Sequence, residues 1–254
     1  DVYRFPDFEV RMCRGAQAYR DRLAMQFPKD VKGIDKVFEA IRELDSFERV
    51  LEHLQLQGRL QLSDLWDGIK SAPLFRYIKS TYGEFLDHAI TNPQLKAVFA
   101  AACGDYGLPP SRASAFVGLM TLHHFLDGAY FPRGGSGAFR DAIRNVARQA
   151  GAIFRTEAEV EHIGIEGDRA HTVKLTNGEQ IEADAVVAAI DPRHVFGALI
   201  EEDAVPEKLL RRVRNLESSL SILGLNLGVK RDLREIGLGA LNIWDYPGVD
   251  IDAL

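Results

Sequence analysis

Two hydrophobic periods divide this chain of 254 residues. At the start the period is two. Val2 and Arg4 alternate with Tyr3 and Phe5, and then Phe8, Val10 and Met12 alternate with Glu9 and Arg11, around a Pro6-Asp7 turn. Successive side chains of a strand point to opposite faces, so this spacing predicts a hairpin. From residue 15 to 128 the period is helical. Val31, Ile34, Val37, Phe38, Ile41 and Leu44 form a stripe, which Phe47, Val50, Leu51 and Leu54 continue. Asn92 before Pro93 marks a helix start, a capping side chain followed by a residue whose missing N–H would go unused there. The segment it opens, "QLKAVFAAAC", is expected to stop at Gly104. A loop then leads into "AFVGLMTLHHFL", which is apolar on most sides. Such a helix is buried or faces an apolar ligand.

The pattern changes at residue 132. "GGSG" opens a helix whose apolar face is Phe139, Ala142, Ile143, Val146 and Ala147, closed by Gly151. "AIF" at 152–154 reads as a short strand, and "VEHIGIEGDRAHTVKL" as strand, turn and strand. Asn177-Gly178 is a tight hairpin signal. In "QIEADAVVAAID" the run Val186 to Ile190 has no polar side, as expected of a strand covered on both faces. Residues 205–216 return to helical spacing, and "SSLSILGLNLGVK" and "LGALNIWDY" read as strands. This order predicts a mixed α+β and α/β fold in which an α/β segment, 132–200, interrupts a second domain made of 1–131 and 201–254. Interleaved domains of this kind suggest an enzyme with a cleft between them.

Composition narrows the functional classes. Hydrophobic residues make up 46% of the chain, enough for a sizeable core. The net charge of −6 argues against a nucleic-acid partner, which calls for a basic excess. Arg211, Arg212 and Arg214 cluster, but Glu201, Glu202, Asp203 and Glu207 lie just upstream, so the run reads as a solvated face. Cys13 and Cys103 are too few for a disulfide framework, which fits free thiols in a reducing, cytoplasmic compartment. No apolar run approaches the 18 residues or so of a membrane span, and no signal peptide is visible. The chain has no initiator methionine and opens inside an apparent strand, so an excised segment of a longer protein is expected.

Nucleophile and metal chemistry find no motif. There is no Gly-x-Ser-x-Gly and no His-Glu-x-x-His. His123 and His124 are neighbours, and on a helix they point about 100° apart, a poor metal pair. One of them could line a cavity as an acid–base group, and a hydrogen-bonded structural histidine is the competing reading. His162 and His171 read as surface residues near a hairpin.

The stretch "GAYFPRGGSGAFRDAIRNVARQAGAIFRTEAEVEHIGIEGDRAHTVKLTNGEQIEADAVVAAIDPRH" carries a distinctive set: Pro132, Gly134, Gly135, Val160, Ile163, Gly178, Ala183, Val186 and Asp191. In that set and spacing it resembles phytoene desaturase-like FAD-dependent oxidoreductases, including carotenoid isomerases and retinol saturases. The close match covers about residues 128 to 200, with a looser one reaching back through Phe27-Pro28 and "LKAVFAAACGDYGLPPSRAS". The resemblance implies an amine-oxidase-like architecture, incomplete here, with residues 132–200 belonging to the FAD domain. It implies that Gly134 and Gly135 sit where flavin and substrate meet, that the backbone of Val160 meets the adenine, and that Ala188 and Ala189 let the cofactor pass. Each also has a plain packing alternative. His123, His124 and Phe131 are implied for the substrate cavity.

Two departures stand out. The family's Gly-x-Gly-x-x-Gly, which seats the flavin pyrophosphate on a helix N-terminus, does not occur in this chain. The family's C-terminal flavin segment has no counterpart either. The expectation is therefore an inactive segment, without retained FAD, of an oxidoreductase for an apolar isoprenoid-like substrate, with peripheral membrane contact as a further possibility. An amine-oxidase-like flavoenzyme and a non-redox isoprenoid-binding module are the alternatives.

Overall fold

The computed structural model describes residues 1–57, 74–218, 221–239 and 241–253. They divide into two compact units, Asp1–Tyr130 with Ser219–Leu254, and Phe131–Ser218. Six strands occur among the described residues: β1 (Val2–Phe5), β2 (Phe8–Arg11), β3 (Val160–Glu166), β4 (Arg169–Leu175), β5 (Gln180–Glu182) and β6 (Ile243–Asp245). No described helix is long and apolar enough to cross a membrane.

In the first unit β1 and β2 form the expected hairpin, with Val2 opposite Arg11 and Phe5 opposite Phe8. β6 then joins β1 in parallel, Val2 facing Ile243 and Arg4 facing Asp245, to give the order β2-β1-β6. Phe5 stacks on Phe8 and on Tyr246, and Tyr3, Phe5 and Val10 enter one core with the helices. The sheet is therefore a small platform for a helical body.

The stripe on Val31–Gln57 does what its spacing requires. Ile34, Val37, Phe38, Ile41 and Leu44 are buried. The side chains of Phe47, Val50, Leu51 and Leu54 lie outside the described residues. The Pro93–Ala100 helix begins at Asn92, whose Oδ1 accepts from Gln94 N at 2.9 Å and Leu95 N at 3.4 Å. It stops at Ala100 rather than running on to Gly104. A separate turn of helix, Cys103–Tyr106, follows and is closed by left-handed Gly107. The Tyr82–Ala89 helix is opened by a reciprocal box: Glu84 N donates to Thr81 Oγ1 and Thr81 N to Glu84 Oε2. The apolar Ala115–Leu126 helix buries Ala115, Leu119, Leu122 and Leu126, and leaves Val117 and His124 on its outer side.

The second unit begins with the Gly135–Gln149 helix and continues into the antiparallel meander β3-β4-β5. Asp191 is a helix cap. Its Oδ1 accepts from Arg193 N at 2.8 Å and opens a turn of helix. A small core of Ile163, Val195 and Leu199 holds this unit, with Val160, Ile165, Ala170, Val186, Phe196 and Ile200 packed around it. The unit runs to Ser218 instead of ending at residue 200, because the Glu207–Arg214 helix packs beside Pro192–His194.

Three expected strands are absent. Segments 152–154, 186–190 and 221–229 form no ladder, and Ile153, Val187 and Leu223 are 88%, 93% and 98% exposed. Their apolar pattern is that of a sheet, but a strand exists only where a neighbour accepts its N–H and C=O groups. No described strand pairs with them. The Gly135–Gln149 helix shows the same condition, with no buried residue and with Phe139, Ile143 and Val146 exposed along its apolar face.

Candidate functional site

The glycine turn is built by backbone conformation. Gly134 (φ 86°) and Gly135 (φ 78°) both occupy the left-handed region that a side chain disfavours. Pro132 O accepts from Gly135 N at 2.9 Å and closes the turn. A β-carbon at Gly134 would press within 3.1 Å of Ala138 Cβ, whereas one at Gly135 would meet nothing within 4 Å. No side chain caps this helix start. Its first amides and the positive end of the helix dipole are thus available to an anionic group.

Val160 offers its main chain. Thr176 N donates to Glu159 O at 3.0 Å, and Val160 stands opposite Leu175. Antiparallel neighbours alternate in direction, so the N–H and C=O of Val160 itself point away from β4. They reach the outer edge of the sheet, where β3 has no further partner among the described residues. Its half-buried side chain packs on the Ile163–Val195–Leu199 core, and Val186 packs on the same core. That shared cluster brings the start of the 186–190 segment alongside β3. Ala188 and Ala189 further along it are exposed. A free main-chain donor and acceptor, a small-residue segment beside it and an open glycine turn are groups that suit a flavin dinucleotide.

His123 and His124 part company. Their rings stand 6.2 Å apart and nearly perpendicular. His123 faces a cavity of about 540 Å³ of mixed polarity, with Arg20, Asp35, Arg42 and Asp127 on its walls and Phe38 and Ile41 beneath. His124 faces a different, open cleft of about 610 Å³ lined by Phe116, Met120, Thr121, Phe125 and Tyr130. Phe131 belongs to the other unit and is 81% exposed. His123 and His124 therefore face different cavities, because adjacent helical positions diverge. Thr121 and Tyr130 join the His124 cleft without having been expected. Thr121 was legible, since it lies three residues before His124 on one helical face. Tyr130 was not, because it lies beyond the helix end, past Gly128 with its positive φ. No group of three His, Cys, Asp or Glu side chains gathers among the described residues to hold a metal.

Comparison with known proteins fits this geometry. The chain is 28% identical over 235 residues to a zeta-carotene-forming phytoene desaturase of Myxococcus xanthus, covering 86% of this chain and 44% of that protein. It is 24% identical to an all-trans-retinol 13,14-reductase of Rattus norvegicus, covering 96% of this chain and 41% of the relative. It is 35% identical to a phytoene dehydrogenase of Streptomyces griseus, over 72% of this chain and 39% of the relative. The chain thus spans about two fifths of the length of these relatives. The resemblance read from the glycine turn is thereby established. A family model described as flavin containing amine oxidoreductase matches residues 4–242, and the chain belongs to that family.

Proposed function

We propose that this chain is part of a longer FAD-dependent oxidoreductase that desaturates, saturates or isomerises an apolar, isoprenoid-like molecule. One observation carries the reading. The second unit holds an amphipathic helix with an exposed apolar face, Phe139, Ile143 and Val146, and also two apolar segments, 152–154 and 186–190, that lack ladder partners. A helix and two fully apolar segments of strand-like pattern are the parts of a doubly wound α/β sheet, and such a sheet is where a dinucleotide binds. The greater length of the relatives is room for the remaining strands.

Bound flavin would supply the hydride chemistry, which asks for no protein nucleophile. The chain's own residues hold and shield. The outward N–H and C=O of Val160 would take the adenine edge. Gly134 and Gly135 permit close approach of the backbone, and Ala188 and Ala189 keep the segment beside β3 low. The cleft along Phe116, Met120 and Phe125 offers an apolar chain a wall to lie against. The relatives named for phytoene, zeta-carotene and retinol support an isoprenoid substrate class.

Two free cysteines suit a reducing cytoplasm. Exposed Leu209 and Leu216 beside Lys208, Arg211 and Arg212 support peripheral contact with an anionic membrane surface, from which such a substrate would be drawn. The test is to express the entire open reading frame containing this chain and scan the purified protein for flavin absorbance. The whole protein is expected to be yellow and this chain alone colourless. A colourless whole protein that takes up no added FAD would leave an isoprenoid-binding module without redox function.

A further inference from the structure

Between the Val31–Gln57 and Tyr82–Ala89 helices lies a cavity of about 520 Å³, within the usual range for small-molecule sites. It belongs wholly to the first unit and shares no residue with the cavities at His123 and His124. Tyr77 and Phe85 give it an aromatic wall. Their rings stand 5.4 Å apart and nearly perpendicular, and Phe85 also lies parallel to buried Tyr82 at 6.3 Å, which fixes its plane. Lys36, Glu39 and His88 line the same space. Lys36 and Glu39 are three apart on one helical face, a spacing at which opposite charges commonly pair. They do not pair, and among the described residues neither has any other ionic partner. The His88 ring meets Glu84 O through Nδ1 at 2.6 Å. A carbonyl only accepts, so Nδ1 carries the proton and Nε2 of the neutral ring keeps its lone pair. The cavity thus presents a cation that donates, a carboxylate that accepts and a ring nitrogen that accepts.

These three groups define what fits. A carboxylate or phosphate would meet Glu39 and Glu84, and an ammonium would meet Lys36. A hydrocarbon would strip water from all three and return no hydrogen bond. A neutral flat ring with a C=O beside an N–H answers both charges at once, through charge-assisted hydrogen bonds, and brings no charge of its own. An exocyclic amino group next to that N–H supplies a further donor for His88 Nε2. Acceptor, donor, donor along one edge is the order of a 2-amino lactam, as in guanine or a pterin, and its flat face suits the Phe85 wall. Adenine presents donor and then acceptor, the reverse. We propose that this cavity is a binding site for a planar 2-amino-lactam ring, its carbonyl on Lys36, its ring N–H on Glu39 and its amino group on His88.

The experiment uses the 254-residue chain, which contains every lining residue. Guanosine and 6-methylpterin carry the full edge, inosine lacks the amino group, and adenosine reverses the order. Each is titrated by calorimetry, with the His88 ring signals followed by NMR. Guanosine or the pterin is expected to bind about tenfold more tightly than inosine and about a hundredfold more tightly than adenosine, the worth of one and of two charge-assisted hydrogen bonds. The tighter of the two identifies the ring. The His88 signals should shift with that ring and not with adenosine. Glu39→Gln should weaken it about tenfold and leave adenosine unchanged, and His88→Phe should erase the gap to inosine. Glu39 and His88 are exposed, so both variants are expected to keep the parent's denaturation midpoint. Inosine or adenosine binding as tightly as guanosine and the pterin overturns the proposal. So does a preference that survives both substitutions, or a failure of all four to bind. The flavin reading is untouched by any of these outcomes, because it uses none of these residues.

Discussion

Gly118 presses its backbone against the ring of Tyr82. A β-carbon at Gly118 would lie 2.4 Å from Tyr82 Cδ1, closer than any real contact. Tyr82 is 1% exposed and donates its hydroxyl to Phe99 O at 3.2 Å. Burial pushes this phenol far above its ordinary pKa, so it is a neutral donor at all working pH. One contact thus ties together the helices Ala115–Leu126, Tyr82–Ala89 and Pro93–Ala100.

Gly118→Ala sets two effects against each other. Alanine gains up to about 1 kcal/mol of helix propensity. Overpacking a rigid ring costs about 1–3 kcal/mol, and a buried aromatic has little room to retreat. A net loss of stability is expected, read as a lower denaturant midpoint. An equal or higher midpoint would show that Tyr82 moves aside freely. Tyr82→Phe keeps the ring and is expected to cost about 1 kcal/mol for the hydrogen bond alone.

Asn92 joins a cap to a tertiary contact. Its Oδ1 caps the helix, and its Nδ2 donates to Asp30 Oδ2 at 3.1 Å. Asn92→Ala removes both and is expected to cost at least about 1 kcal/mol. Asn92→Asp keeps the cap but sets a carboxylate against Asp30. Its deficit should shrink at low pH, where one carboxylate is protonated, and the alanine variant's should not. Denaturation curves at neutral and acidic pH separate the two.

Arg155 grips Glu179 with two hydrogen bonds, of 2.8 and 2.7 Å, and these hold the Glu179 carboxyl below its usual pKa. A depressed carboxylate pKa stabilises the fold above the ordinary glutamate range, and the gain is lost as pH falls through the depressed value. Arg155→Met is expected to be less stable than the parent at neutral pH and to converge with it in acid. Both groups are solvent-exposed, so the difference is small. NMR titration of the Glu179 carboxyl should show its pKa rising in the variant.

The uncovered helix face gives a contrast between two samples. Ile143 is 57% and Val146 67% exposed in this chain. Ile143→Asp should therefore leave the chain's own stability within about 0.5 kcal/mol. In the longer FAD protein proposed above the same change is expected to abolish flavin retention, because a carboxylate would enter the helix–sheet interface that the proposal requires. The readouts are the denaturation midpoint of the chain and the flavin-to-protein absorbance ratio of the whole protein. A large destabilisation of the chain alone, or full flavin content in the whole protein, would show that this face is not covered by the flavin sheet.

Sequence alone determined what depends on neighbours along the chain. The 3.6-residue stripe of Val31–Gln57, the Asn92 cap, the β1–β2 hairpin and the Asn177-Gly178 turn were all legible, because each is fixed within a few residues by side-chain period, capping groups or allowed dihedrals. The glycine turn, with the spacing to Val160 and Asp191, was enough to indicate the flavoprotein family. Tertiary structure decided the rest. It paired β1 with β6 from the far end of the chain, divided His123 from His124, folded Tyr130 over Gly128 and seated Tyr82 on Gly118. It also left 152–154, 186–190 and 221–229 without ladders despite their sheet-like pattern. Period two reports which way side chains point. Whether a strand forms depends on a partner backbone, and that partner is set by long-range packing that no local pattern encodes.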